Sequence, residues 1–304
     1  MMKQTPALSM ACVPRAARAA LQWRLLLLWA LWMLVPTLIL ALPAWQLLSA
    51  NLDYSVHAQA LARALDMSAI GDLLDVQARQ QGTFIQAGAL AATVTLLISP
   101  LLSGMVATAA RSAQAPGFAA LLRGGAGYYW PMLRMLAIGA LPLGAAFMAG
   151  NAAIGAASAY FTTVTAAADA ALPMALAQVL TVLLMGLVAA SLDAGRAFLA
   201  ADPGKRSAWS AWLSGCALLA RHPLAALGSY IVISIIGLAL AALLSLARAH
   251  TAGFNALGFT GALLLTQAAV VIIGWMRSAR LFALIELARA NGLIKPASAP
   301  ILNG

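Results

Sequence analysis

Six stretches of this chain contain no Asp, Glu, Lys, Arg or His: residues 25–48, 83–108, 135–157, 172–192, 223–247 and 257–276. Each has the length of about 20 residues that a helix needs to cross roughly 30 Å of hydrocarbon. Inside lipid the backbone must satisfy its own hydrogen bonds, so apolar runs of this length fold as helices. Composition closes the soluble alternative. Only 9% of the 304 residues are charged and 63% are apolar, with a mean hydropathy of +0.91. A soluble surface needs roughly 25% charged residues. The expected fold is all-α and polytopic, with six transmembrane helices and amphipathic helices on the cytosolic side. The expected organisation is a basic cytosolic amphipathic segment over 1–24, a six-helix membrane domain over 25–284 and a cytosolic tail over 285–304.

The first run is not read as a cleaved signal. Arg15, Arg18 and Arg24 precede it as an n-region would, but it continues to residue 48, well past the 7–15 residues of a signal core. Orientation follows from Lys and Arg near the ends of the runs. The amino terminus, the loops after the second and fourth spans and the carboxyl end hold 15 of the 18 basic residues; only Arg63, Arg79 and Arg248 lie on the other side. Both termini are therefore expected in the cytosol. The same placement removes nucleic acid as the reason for the net charge of +10, because the basic residues flank apolar runs. Cys12 and Cys216 fall on the cytosolic side, where thiols stay reduced.

Before the fifth span, "GKRSAWSAWLSGCALLARHPLAALGSYIVI" mixes Lys205, Arg206 and Arg221 with Trp209 and Trp212. Trp209, Leu213, Cys216 and Ala220 recur at helical spacing, with Trp212 and Leu219 beside them. Trp favours the head-group zone and basic residues favour an anionic inner leaflet. Two readings fit: a helix lying in the interface, or a short amphipathic helix packed on neighbouring spans. Pro223 suits the start of the helix that follows. The segment 116–135 repeats the pattern with Phe118, Leu121, Leu122, Tyr128, Tyr129 and Trp130. Leu122 and Gly124 match Leu213 and Gly215 at an offset of 91, and residues 13–28 follow the same logic before the first span. Three units, each an interfacial helix plus a transmembrane hairpin, are expected. Candidate interfacial anchors are Trp209, Trp212, Arg206, Arg221 and Trp130.

No catalytic signature is found: there is no G-x-S-x-G, H-E-x-x-H or phosphate-binding loop. His57, His222 and His250 fall in loops, and Ser103 reads as a small packing residue. The outer loop 49–82 holds Asp53, Asp66, Asp72 and Asp75 at spacings that match no metal loop. No metal or cofactor is expected. Asn151 and Gln178 sit at similar depth on antiparallel neighbours and are candidate interhelical contacts, as is Gln267 in the sixth span. Asp193 and Arg196, at i and i+3, are spaced for a local ion pair. Gly139, Gly144, Gly150 and Gly155 favour close contact and an internal place for the third span.

The segments "SPLLSGMVATAAR", "LRGGAGYYWPMLRML", "SLDAGRAFLAAD" and "LLARHPLAALGSYI" resemble a broad group of uncharacterised six-span bacterial membrane proteins. That group is similar to the membrane domain found ahead of the catalytic domain in some membrane-bound glycerophosphodiester phosphodiesterases. The resemblance covers about residues 90 to 290. It implies the six-span topology, a bacterial inner membrane and no enzyme activity. The function expected first is a non-enzymatic membrane module that organises lipid, in particular the anionic inner leaflet, or a membrane protein partner. The alternative is a transporter or permease subunit for an uncharged or amphiphilic solute; an enzyme acting on lipid comes third.

Overall fold

The computed structural model describes residues 12–52, 81–112, 114–161, 167–201, 207–251 and 256–293. Among them are nine helices and no strand: α1 (Cys12–Ala19), α2 (Trp23–Leu52), α3 (Gln81–Arg111), α4 (Phe118–Gly127), α5 (Tyr129–Phe161), α6 (Ala167–Ala201), α7 (Ala208–Arg221), α8 (Pro223–Ala249) and α9 (Ala256–Ala290). The six long helices contain the six uncharged runs, and each is long and apolar enough to cross a membrane. Their outward faces are apolar: Leu224 is 80% and Leu257 84% exposed. Exposed apolar surface on this scale belongs in lipid. The outer-loop aspartates Asp53, Asp66, Asp72 and Asp75, and the anchor Arg206, lie outside the described residues.

The three expected units close into a ring. Each consists of a short helix and a hairpin: α1 with α2 and α3, α4 with α5 and α6, α7 with α8 and α9. Each short helix packs on the second span of the unit before it, α4 on α3 and α7 on α6, and α1 returns to α9. The second spans α3, α6 and α9 also touch one another, so they form the inner triad of the bundle. All three short helices gather at one end, here called the basic end.

The crossings depend on glycine. A Cβ on Gly215 would meet the Gly195 nitrogen at 2.5 Å, and one on Gly104 would meet the Gly125 oxygen at 2.8 Å. Gly125 is thus the counterpart of Gly215. The sequence match through Gly124 is off by one residue, because Gly124 faces Thr108 instead. The helix α7 is capped at its start by Ser207, whose Oγ accepts from the Ser210 backbone N–H at 3.4 Å. It presents two apolar faces. Ala208, Ala211, Gly215, Leu218 and Leu219 are buried, while Trp209 and Leu213 face outward.

The long helices overshoot the hydrocarbon. At 1.5 Å per residue, α6 and α9 are each about 52 Å long against roughly 30 Å of apolar membrane. The excess at the basic end is covered by the short helices, and the main core lies there: Leu102, Met105, Met135, Phe198, Leu199, Leu218, Leu284 and Ile285 are fully or almost fully buried. The boundary expected at residue 284 falls within α9, which continues to Ala290. The third span is peripheral rather than internal. Only Gly139 and Gly150 approach α6, through Leu192 and Thr181, while Gly144 and Gly155 face open space. Leu141 and Met148 of that helix are strongly exposed.

Candidate functional site

The inner triad brings together charges that are far apart in sequence. On α6, Asp193 and Arg196 form the i, i+3 pair expected from their spacing, with Arg196 Nη1 donating to Asp193 Oδ1 at 2.6 Å. From α8, the buried Tyr230 hydroxyl donates to the other oxygen, Asp193 Oδ2, at 3.3 Å. From α9, the Arg280 guanidinium lies 4.7 Å from the centre of the Tyr230 ring and reaches the Ser234 hydroxyl at 3.5 Å. Arg277 stands one turn before it. Asp193, Arg196, Tyr230, Arg277 and Arg280, with Ser99 and Ser103 of α3, line a cavity of about 320 Å³.

The repeat shows how the charges come to face inward. Gly104 on α3 and Gly195 on α6 mark where a short helix crosses. Ala279 on α9 has the same place, in one buried cluster with Ala16 and Ala20. Two residues before and one after that small residue stand Leu102 and Met105, Asp193 and Arg196, and Arg277 and Arg280. The first unit therefore supplies apolar packing at these positions, and the other two supply charge.

Electrostatically the cavity is unbalanced. Three arginines, Arg196, Arg277 and Arg280, face one carboxylate, Asp193. Asp193 is engaged by Arg196 and Tyr230. Among the described residues Arg277 makes no hydrogen bond or ion pair, and the buried Nε of Arg280 has no acceptor. Burying a cation without an anionic partner is costly. The hydroxyls of Ser99 and Ser103 are also without hydrogen-bond partners among the described residues. The cavity thus offers donors in excess of acceptors, which is the chemistry of an anion site.

A second, apolar cavity of about 700 Å³ adjoins the first between α2, α3, α8 and α9. The two share Trp29, Thr95, Ser99 and Arg277 as lining. Trp29 is held in place by Gly274, where a Cβ would come within 2.7 Å of the indole ring. The accessible surface of Arg277 therefore includes cavity surface on both sides.

Elsewhere at the basic end α1 is fixed to α9. Arg15 Nη2 meets Glu286 Oε1 at 2.7 Å, and Trp275 Nε1 donates to the Ala17 carbonyl at 2.9 Å. Burial pushes the Cys12 thiol above its ordinary pKa, the nearby Glu286 adds to the rise, and Arg15 opposes it in part. Among the described residues no group of His, Cys, Asp and Glu is placed to hold a metal ion.

The described anchors expected from sequence lie at the basic end, Trp130 at the start of α5 and Trp209, Trp212 and Arg221 on α7. Trp130 and Trp209 are exposed, and Arg221 is exposed at the end of α7. Trp212 differs: its Nε1 donates to Ser191 Oγ of α6 at 3.1 Å, so it joins helix to helix. Asn151 and Gln178 are both exposed, and no hydrogen bond joins them among the described residues; Gly150 against Thr181 makes that contact instead. Gln267 is half-buried and lines neither cavity described here. Ser103, read as packing, lines the polar cavity. Arg277 and Arg280, read as charges of the carboxyl end, belong to the inner triad. Their i, i+3 spacing, shared with Asp193 and Arg196, is the signal in the sequence that pointed to them. No protein-family model, curated protein or solved structure matches this chain.

Proposed function

We propose that this chain is a non-enzymatic multi-pass module of a bacterial inner membrane, with both termini cytosolic, that binds the head group of an anionic lipid. The excess of Arg196, Arg277 and Arg280 over Asp193 in one cavity carries this reading. Depth supports it. Counted from Thr260, the start of the sixth span, Arg280 lies about 30 Å along α9, the thickness of the hydrocarbon. Counted from Ala171, Asp193 lies about 33 Å along α6. With the basic end in the cytosol, as the 15-to-3 charge split favours, the cavity sits at the level of the inner head groups. The same charge excess argues against an uncharged solute, the first form of the transporter reading. Against an enzyme on lipid stands the lining itself: no His or Cys lines the cavity, and Asp193 is its one carboxylate. Among the described residues of its lining no set of nucleophile, base and orienting group is found together.

The test is lipid retention. The protein purified in a mild nonionic detergent is expected to retain acidic phospholipid over zwitterionic phospholipid. Arg277→Gln and Arg280→Gln are expected to lower that retention about tenfold, equivalent to about 1.4 kcal/mol. Equal retention of acidic lipid by both folded variants and the parent would sink the reading.

A further inference from the structure

We infer that the ligand is bound as a whole amphiphile, with its hydrocarbon chain in the apolar cavity between α2, α3, α8 and α9. This rests on the head-group reading and extends it to the other half of the molecule. The two cavities share Trp29, Thr95, Ser99 and Arg277, so a head group against Arg277 has the apolar cavity directly beside it. From that shared wall the cavity runs toward the middle of the bundle, past Met33, Thr37 and Leu40 on α2 and Ile273, Val270 and Thr266 on α9. Trp29 to Leu40 is about 16 Å along a helix, and half of the hydrocarbon is about 15 Å. The cavity is therefore one leaflet deep.

Its polar residues do not change its character. Thr37 donates to the Met33 carbonyl, Thr95 to Ala91, Ser245 to Ala241 and Thr266 to Ala262, all at 2.7–2.8 Å. Each hydroxyl is satisfied by a carbonyl of its own helix. Ser99 and Ser103, at the polar end, make no such bond among the described residues. Donors are withheld where a chain would lie and left available where a head group would lie. Water in the apolar cavity would find few partners, whereas a hydrocarbon chain needs none.

The experiment compares phosphatidylglycerols carrying 8-carbon and 16-carbon chains, binding to full-length protein in detergent by native mass spectrometry. The parent protein is expected to bind the long-chain lipid at least tenfold more tightly. Ala92→Phe and Ala269→Phe, which fill the apolar cavity, are expected to bring the two affinities within about twofold. A chain-terminal diazirine lipid, used on the parent protein, is expected to label residues 33–40, 88–95 or 266–273. Retained chain-length preference in the filled variants, or labelling confined to the outer face around 176–187, would overturn the chain site. Unchanged binding of both lipids by Arg277→Gln and Arg280→Gln would instead overturn the head-group reading beneath it.

Discussion

Gly215 of α7 crosses Gly195 of α6 backbone to backbone: a Cβ on Gly215 would stand 2.5 Å from the Gly195 nitrogen and 2.9 Å from the Ala194 carbonyl carbon. Neither neighbour can rotate away, since both are main chain in a helix. Gly215→Ala is therefore expected to push α7 off α6 and to cost about 1–3 kcal/mol, the usual cost of overpacking. Gly144→Ala and Gly155→Ala are the controls. Both positions face open space, and alanine there gains helix propensity of up to about 1 kcal/mol. Thermal unfolding in detergent should lower the midpoint of the first variant and leave or raise those of the other two. Equal midpoints for all three would mean that the crossing is not close.

Arg277 and Asp193 should respond in opposite senses. Among the described residues Arg277 makes no direct ion pair and feels Asp193 only at longer range, a carboxylate that Arg196 already holds, so Arg277→Gln is expected to raise the unfolding midpoint in lipid-free detergent while weakening lipid-induced stabilisation. A ligand that binds only the folded state stabilises it in proportion to its affinity, so one thermal titration reads both effects. Asp193→Asn removes the resident anion. It should cost about 1–3 kcal/mol without lipid, by stranding Arg196, and should increase the stabilisation gained from acidic lipid. If acidic lipid stabilises the parent and both variants alike, the charges of this cavity do not select the ligand.

The extent to which the sequence revealed this arrangement follows from the range of each signal. Uncharged runs and flanking arginines are local, so the six spans and the three-unit order were legible. The i, i+3 pair Asp193–Arg196 was legible for the same reason. The encounter of that pair with Tyr230, Arg277 and Arg280 was not, because it depends on the ring closure that sets α6 beside α9. Arg277 follows an uncharged run and reads as a flanking charge until the helix is seen to continue to Ala290. Glycine count also misleads: α5 is rich in glycine, yet two of the four singled out touch no neighbouring side chain. Spacing identifies a face, and the partner of that face is a tertiary fact.

The rings of Trp209 and Trp212 meet at a tilt of 59° with 5.1 Å between centroids but do different work. Trp212→Phe removes the hydrogen bond to Ser191 Oγ and is expected to cost about 0.5–1.5 kcal/mol. Trp209→Ser leaves that bond in place and removes exposed aromatic surface from the outward face of α7. It is expected to lower the depth of α7 in the membrane with a smaller change in the midpoint. Brominated lipids provide the depth reading, by quenching of tryptophan fluorescence in single-Trp proteins retaining residue 209 or 212. If Trp209→Ser lowers the midpoint as much as Trp212→Phe, the outward face of α7 packs on protein and not on lipid.

Cys12 tests the clasp between α1 and α9 together with the topology. Its thiol is held above the ordinary range by burial and then by Glu286, with Arg15 opposing. The thiolate is the reactive form, so modification in detergent should need a higher pH than a peptide thiol does. Unfolding releases the proton more readily, so the docking of α1 should weaken as pH rises past the ordinary thiol pKa of about 8.5. The two partners of the clasp separate electrostatics from loosening. Glu286→Gln removes a neighbouring negative charge and should speed modification at fixed pH, whereas Arg15→Gln removes a positive one and should slow it. Loosening alone would speed both, since the Arg15–Glu286 pair, with Arg15 exposed and Glu286 half-buried, still reaches solvent and contributes little to stability. In intact cells with a sealed inner membrane, an impermeant maleimide should reach neither Cys12 nor Cys216. Labelling of either from outside would invert the orientation and move the basic cavity to the outer leaflet.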